Sequence, residues 1–166
     1  YKGLSMTIKI GDRLPDISLK RLGENGMEDI SFASYIAGKK VVLFAVPGAF
    51  TPTCHQKHLP GYIANADSIK AKGIDDIICL SVNDPFVMKA WGESVGATGK
   101  VTMLPDWKAE LVTALGLTLD AAGAGLGTRA QRFSMVIDNG VVTDLNVEPV
   151  ASAVELSGAD VCLAKL

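Results

Sequence analysis

Cysteine is scarce in this chain. There are three, Cys54, Cys79 and Cys162, among 166 residues, and no two of them form a Cys-x-x-Cys pair. An odd, low count without close pairing argues against a disulfide framework and a closed zinc site. It suits a reducing compartment, so the cytoplasm is the expected location. Long apolar runs are missing as well. The chain is 48% hydrophobic with a mean hydropathy of +0.27, yet its longest apolar run, VVLFAV at 41–46, has the length of a strand. Roughly 18–20 such residues are needed to cross a bilayer, so no membrane span is expected. The first residues lack the charged start and apolar stretch of a secretion signal. Blocks of like charge are absent too, and the net charge is only −2. Neither nucleic acid nor an anionic membrane is therefore expected as the main partner.

The length fits one domain with a sizeable core. YKGLS precedes Met6 and reads as an expression remnant, which leaves 6–166 as the domain. DISLKRLGENGMEDISF reads as a hairpin turning between Gly23 and Gly26. SFASYIAG is expected as a short helix capped by Ser31 and ended by Gly38. KVVLFAV, apolar almost throughout, is a buried central strand. A helix is expected from about Thr51 to Lys72, kinked at Pro60 and stopped at Gly73. DDIICLSV gives a second buried strand. NDPFVMKAWGESVG gives a helix capped by Asn83 or Asp84, with Pro85 in its first turn. KVTMLPD is a short third strand and WKAELVTALG a helix ending at Gly116. LTLDAAGAGLGT, rich in glycine, is expected as a surface loop. It is no phosphate cradle, because it precedes a strand and lacks the Lys-Ser/Thr pair. QRFSMVIDNGVVTDLNVEP is a second hairpin, turning near Asp138, Asn139 and Gly140. The tail from Val150 is a last helix, broken at Gly158. Together these elements make an α/β sandwich around a mixed sheet, with 41–82 as its first central βαβ unit.

Within this layout VPGAFTPTC at 46–54 stands out. Ligand sites of α/β sheets gather beyond the carboxyl ends of the strands, and Cys54 lies one short loop beyond Val46. With Thr51 as N-cap, Pro52 takes the first helical position and Cys54 the third. Thr51 Oγ then accepts from the Cys54 backbone N–H, and its own hydrogen stays free to donate. The sulfur faces unsatisfied amides and the positive end of the helix dipole. Both favour thiolate, so its pKa is expected below the free value of about 8.5. Two prolines stiffen the loop. A rigid, accessible thiolate beside a hydroxyl donor suits attack on a small polar molecule. The competing reading is a buried structural cysteine, since free cysteine is among the most buried residue types.

PGAFTPTC resembles the peroxidatic motif of peroxiredoxins, PxxxTxxC, in the form carried by the type II, peroxiredoxin-5-like subfamily. The resemblance runs over nearly the whole chain from Met6, through KKVVLFAVPGAFTPTC, HLPGY, IICLSVNDPFVMKAWG and RFSMVIDNG. It implies a thioredoxin-like fold with a central mixed β-sheet flanked by helices. It also implies thiol-dependent reduction of hydrogen peroxide and organic hydroperoxides, with no cofactor beyond an external thiol. By the same resemblance Cys54 is the peroxidatic cysteine, Thr51 its hydroxyl partner, Pro47 the proline that shields the sulfur, and Arg132 the active-site arginine. The chemistry beneath this is attack of thiolate on the distal peroxide oxygen, with charge building on the departing oxygen. The Thr51 hydroxyl, the Cys54 amide and the Arg132 guanidinium are the donors expected to stabilise it, and the arginine also holds the sulfur anionic. The product is Cys54 sulfenic acid, which another thiol reduces and excess peroxide drives to irreversible acids. Arg129, three residues earlier, competes for the arginine's role but reads as solvated in its GLGTR loop. Arg132, Ser134 and Val136 share one face of their strand and Phe133, Met135 and Ile137 the other. Without the resemblance, Arg132 reads as a surface arginine at a frayed strand end.

Cys79 lies about three residues before its strand's carboxyl end, roughly 10 Å below the edge at ~3.3 Å per residue. A disulfide needs Cα atoms within about 7 Å, so a Cys54–Cys79 bond requires the Cys54 helix start to unfold. Plant members of the subfamily carry a cysteine at the matching position. Cys162 falls on the stripe Ala159, Cys162, Leu163, Leu166 and is expected in the core. Some animal members carry a resolving cysteine shortly after the block matching NVEP, whereas VASAVELSG has none. One-cysteine catalysis is therefore expected, with glutathione and glutaredoxin, or thioredoxin, as reductant. His55 and His58 flank Cys54, but three ligands on one helix point apart and no further cluster completes a metal site. His58 is expected to pack and hydrogen-bond locally, and Phe86, Met88 and Trp91 to serve helix packing. The subfamily's usual dimer abuts the active-site face, so a homodimer is expected. Two other classes compete. A thiol–disulfide oxidoreductase is disfavoured by the lack of a second nearby cysteine. A redox-sensing or chaperone-like interaction protein would use the same Cys54.

Overall fold

The computed structural model describes residues 7–166; the reading of 1–5 as an expression remnant lies outside them. Two antiparallel strands, β1 (Ser18–Gly23) and β2 (Gly26–Ser31), form the expected hairpin, paired from Ser18 with Ser31 to Gly23 with Gly26. Ser31 caps α1 (Phe32–Ile36), its hydroxyl accepting from the Ser34 N–H at 3.3 Å. The apolar run becomes β3 (Lys40–Val46), with β4 (Asp76–Ser81) and β5 (Thr102–Pro105) following in parallel on one side. A second hairpin adds β8 (Phe133–Asp138) antiparallel on the other side of β3, and β9 (Val141–Val147) outside it. The five strands stand in the order β5–β4–β3–β8–β9, the mixed central sheet the resemblance implies. The β8–β9 turn is the expected one, with Asn139 at φ 48° and Gly140 at φ 83°, the left-handed pair that a tight hairpin requires.

Alternation along the strands sorts side chains into two cores. Val41, Leu43 and Ala45 of β3 and Phe133, Met135 and Ile137 of β8 face the β1–β2 hairpin, α1 and α5 (Glu110–Leu115). On the other face lie Val42, Phe44 and Val46 of β3, Ile77 and Cys79 of β4, and Val136 of β8. They are covered by α2 (Leu59–Ala64), α3 (Ala66–Lys70), α4 (Pro85–Val95) and α6 (Ala159–Lys165). Cys54 belongs to this second core. No helix among the described residues is long and apolar enough to cross a membrane.

Three expectations are corrected. The long helix from Thr51 breaks at Asn65 (φ −102°, ψ 7°), whose side chain donates to the Gly61 carbonyl at 2.8 Å. Pro60 sits in the first turn of α2, directly after the widened turn Cys54–His58. The glycine-rich stretch is a hairpin, not a loop: β6 (Thr118–Ala121) and β7 (Gly127–Ala130) pair antiparallel around a 3₁₀ turn at Ala122–Ala124. Gly125 and Gly127, at φ 75° and 71°, turn the chain between them. Finally, Gly158 does not break the last helix; it is the N-cap of α6.

At α4 the structure chooses between the two candidate caps. Asp84 accepts from the Val87 N–H at 2.8 Å, and Gly96 at φ 77° ends the helix. Asp84→Ala is expected to cost about 1 kcal/mol of stability, read as a lower urea midpoint at unchanged slope.

Candidate active site

β3 ends at Val46 and the chain turns over the carboxyl edge of the sheet. The Thr51 N–H and hydroxyl both donate to the Gly48 carbonyl, at 3.4 and 2.6 Å. The turn this closes holds Phe50 at φ 62°, a backbone that costs a non-glycine residue about 1 kcal/mol or more. A side chain at Gly48 would meet Arg129 Nη1 at 3.0 Å and Thr51 Cγ2 at 3.1 Å, so any larger residue there would force those two side chains to give. Asn83, just past β4, does not cap α4. It accepts from the Ala49 N–H at 3.0 Å and from Ser81 Oγ at 2.6 Å, tying the loop to the sheet edge. Thr51 is corrected in turn. The expected bond from the Cys54 amide to its Oγ does not form, and its hydrogen is spent on Gly48 rather than free. Its oxygen lone pairs are what it offers to a ligand. Pro47 is buried at the start of the loop, and its carbonyl accepts from Arg129 Nη1 at 3.4 Å. Arg129 is therefore not a solvated side chain: it is half-buried, its Nε donates to Leu126 at 2.8 Å, and it braces the loop.

Cys54 opens a π turn, Cys54–His58, in which the Leu59 N–H reaches back five residues to the Cys54 carbonyl. Such widened turns recur at functional sites. Cys54 and His58 both point into the protein from it. The sulfur is wholly buried, not accessible as expected. Arg132, immediately before β8, explains this. It is 2% exposed rather than frayed into solvent, and its Nη2 donates to Cys54 Sγ at 2.9 Å. Its Nε donates to the Ala151 carbonyl at 2.8 Å and its Nη1 to His58 Nδ1 at 2.8 Å. No carboxylate among the described residues forms an ion pair with it.

His58 was expected to bond locally; its partners are 74 and 99 residues away. Its Nε2 lies 3.0 Å from the Ser157 carbonyl. A carbonyl only accepts, so Nε2 carries the hydrogen and Nδ1 is the bare lone pair that takes the bond from Arg132. Burial, and then the Arg132 charge, push His58 down to about 3, so it is neutral through the physiological range. The Tyr62 hydroxyl donates to the same Ser157 carbonyl at 2.7 Å, with its ring stacked on Phe44. Glu148 organises the segment that supplies these carbonyls. Its Oε2 accepts from the amides of Glu155, Leu156 and Ser157 at 3.0, 2.8 and 2.6 Å and from Ser157 Oγ at 2.6 Å. Burial pushes its carboxyl up, but the Ser157 hydroxyl and these amides outweigh it and hold the group below the usual range. Neither His58 nor Glu148 was singled out from the sequence as part of the site. The one available signal was that His58 shares a helical face with Cys54 at i, i+4.

The remaining candidates fall outside the contact. Cys79 sits in register with Phe44 inside the sheet, and Cys162 lies on the core-facing side of α6. All three cysteines are free. Burial pushes both of these thiols up, and the nearby Cys54 charge pushes Cys79 further. His55 Nδ1 accepts from Trp91 Nε1 at 3.0 Å, which pins the π turn to α4. Met88 and Trp91 pack inside as expected, whereas Phe86 is 64% exposed. No group of three or more His, Cys, Asp or Glu side chains among the described residues could hold a metal.

The Redoxin family model matches residues 9–163. Peroxiredoxin-2C of Oryza sativa subsp. japonica is 48% identical over 160 residues, covering 96% of this chain and 98% of that protein. The chloroplastic peroxiredoxin-2E of Arabidopsis thaliana is 43% identical over 161 residues, covering 95% and 69%. Among solved structures, reduced Prx3 of Vibrio vulnificus in complex with hydrogen peroxide superposes with a TM-score of 0.91 at 53% identity, covering 96% of this chain and 99% of that one.

The buried neutral His58 makes stability depend on pH. Its folded-state value of about 3 lies below the unfolded value near 6.5, so the unfolded chain binds the extra proton as pH falls. Stability is full above about pH 6.5 and declines below it. The loss between pH 6.5 and 5 is on the order of 2 kcal/mol. Urea unfolding across this interval is expected to show the slope in the wild type and to lose it in His58→Gln.

Proposed function

The chain belongs to the peroxiredoxins of the Redoxin family and is a thiol-dependent peroxidase, and on that premise we propose that Cys54 is the sulfur that attacks the peroxide. The observation that carries this is the 2.9 Å contact between the buried Arg132 Nη2 and Cys54 Sγ. A buried guanidinium needs an anionic partner, and the sulfur is the group it touches. The thiolate attacks the terminal oxygen of the hydroperoxide. The S–O bond forms as the O–O bond breaks, sulfur is oxidised to Cys54–SOH, and the peroxide leaves as alkoxide or hydroxide and takes a proton from water. Arg132 stabilises the charge on that leaving oxygen. Thr51, whose own proton goes to Gly48, accepts the hydrogen of the incoming peroxide and so orients it. Pro47 closes the loop over the site.

An external thiol then reduces the sulfenic acid, glutathione with glutaredoxin or thioredoxin. The raised thiols of Cys79 and Cys162 support this, because neither supplies a ready thiolate to resolve Cys54. A protein reductant reaches the sulfur once the Cys54–His58 turn opens. Hydrogen peroxide is the proposed small substrate, on the similarity to the Vibrio vulnificus protein solved with it, with organic hydroperoxides beside it. No prosthetic group takes part in this reading. The rest of it is one thioredoxin-like domain, a homodimer through the face that bears Phe50 and Phe86, 51% and 64% exposed, and a reducing compartment such as the cytoplasm, which three unpaired thiols suit.

Stopped-flow mixing with peroxide, followed by the glutaredoxin or thioredoxin system, tests both halves. Cys54→Ser is expected to abolish turnover, while Cys79→Ser and Cys162→Ser keep most of it. Arg132→Met is expected to slow the peroxide step by about a hundredfold or more. Turnover surviving in Cys54→Ser would remove the assignment, and its loss in either other variant would remove the one-cysteine cycle.

A further inference from the structure

The buried Arg132 is held by an unusual set of partners. A buried guanidinium ordinarily pairs with a carboxylate, two parallel bonds at a time. Here Nε goes to a backbone carbonyl, Nη1 to the neutral imidazole of His58 and Nη2 to Cys54 sulfur. A carboxylate is at hand. The Glu148 N–H donates to the Arg132 carbonyl at 2.9 Å, so the two residues are neighbours across the sheet edge. Yet the Glu148 carboxylate turns to the amides of 155–157 through Oε2, and its Oε1 is buried without a hydrogen-bond partner.

We infer that His58 is a positioning residue that works by being neutral: it fixes the Arg132 guanidinium against Cys54 Sγ through Nδ1 while leaving the positive charge to the sulfur. This rests on the reading of Cys54 as the attacking sulfur. Glu148 acts one step further out. It folds the segment whose Ser157 carbonyl holds the Nε2 hydrogen and so turns the bare Nδ1 toward Arg132.

Burial and Arg132 favour this state, and the Ser157 carbonyl and Glu148 oppose it more weakly. Arg132 faces it from the start of β8, and two cations 2.8 Å apart without water between them would repel. Glu148 acts from beyond β9 as the compensating charge, weaker than burial and Arg132 together. Tyr62 of α2 shares the Ser157 carbonyl and is pushed well up by burial, so it brings no charge. Phe44 of β3 lies with its ring 4.9 Å from the imidazole, and Cys54 is the anion beyond the guanidinium. A carboxylate at position 58 would compete with the sulfur for Arg132, and an apolar side chain would let the guanidinium swing.

Three substitutions separate these roles: His58→Gln, whose amide can both accept from Arg132 and donate to Ser157, His58→Leu and His58→Glu. The readouts are the rate constant with hydrogen peroxide across pH 4–9 and the melting temperature. Gln is expected to stay within about threefold of the wild type, and Leu to lose about tenfold at pH 7. The rising limb of the pH profile moves to higher pH in Leu and further in Glu. A merely structural role would lower the melting temperatures and leave the limb in place, and that result overturns the inference. Should Glu fail to fold, the Leu–Gln comparison decides alone, Leu matching Gln being the contrary outcome. A wild type inert to peroxide would instead sink the reading of Cys54, so the two failures are distinguishable.

Discussion

Arg132 carries a positive charge to a place where only 2% of the residue meets solvent, and there its Nη2 rests against the Cys54 sulfur. An unpaired cation at such depth is costly by several kcal/mol, and in the proposed reading the sulfur supplies the anion it needs. Much of the molecule is arranged around this contact. The edge of β8 delivers the guanidinium, the second core walls off water, and the irregular segment 148–158 supplies the carbonyls of Ala151 and Ser157. Opposite charges attract more strongly where water is excluded.

The other half of the contact is held by a loop with little freedom. Gly48 lets Arg129 and Thr51 crowd its Cα, Phe50 adopts a left-handed backbone, and Asn83 anchors the Ala49 amide. Beyond it the start of the π turn is pinned on both sides of Cys54: His55 to Trp91 of α4, and Thr53 through its hydroxyl to the Ser152 carbonyl at 3.2 Å. These bonds are side-chain contacts to separate elements rather than a continuous ladder. They can be broken without dismantling the sheet, which suits the proposed opening of the turn to a reductant.

Much of the fold was legible along the chain because its signals are local. Apolar runs gave the central strands, Asn139–Gly140 the hairpin, Asp84–Pro85 and Gly96 the limits of α4. Glycine content misled at 118–130, where Gly125 and Gly127 turn a hairpin rather than mark a loop. Cys54 was legible from its motif, and Arg132 only through the family pattern, since its strand face alone suited a surface residue equally well. The π turn was not legible, because its extra residue leaves the helical composition of the stretch unchanged, and the Thr51 hydroxyl turns to the Gly48 carbonyl instead of capping the Cys54 amide. His58 and Glu148 stayed hidden for a different reason. Their meaning lies in partners brought together by β8, β9 and the segment after β9, and no spacing along the chain encodes that meeting.

The central claim is that the buried Arg132–Cys54 pair exists as guanidinium and thiolate. Ultraviolet difference absorbance near 240 nm between the wild type and Cys54→Ser at neutral pH reads that charge directly. A thiolate band of about one sulfur per chain, absent when Arg132 is replaced by Met, is the result expected. A wild-type spectrum without the band, or a band that survives the loss of Arg132 undiminished, would contradict it.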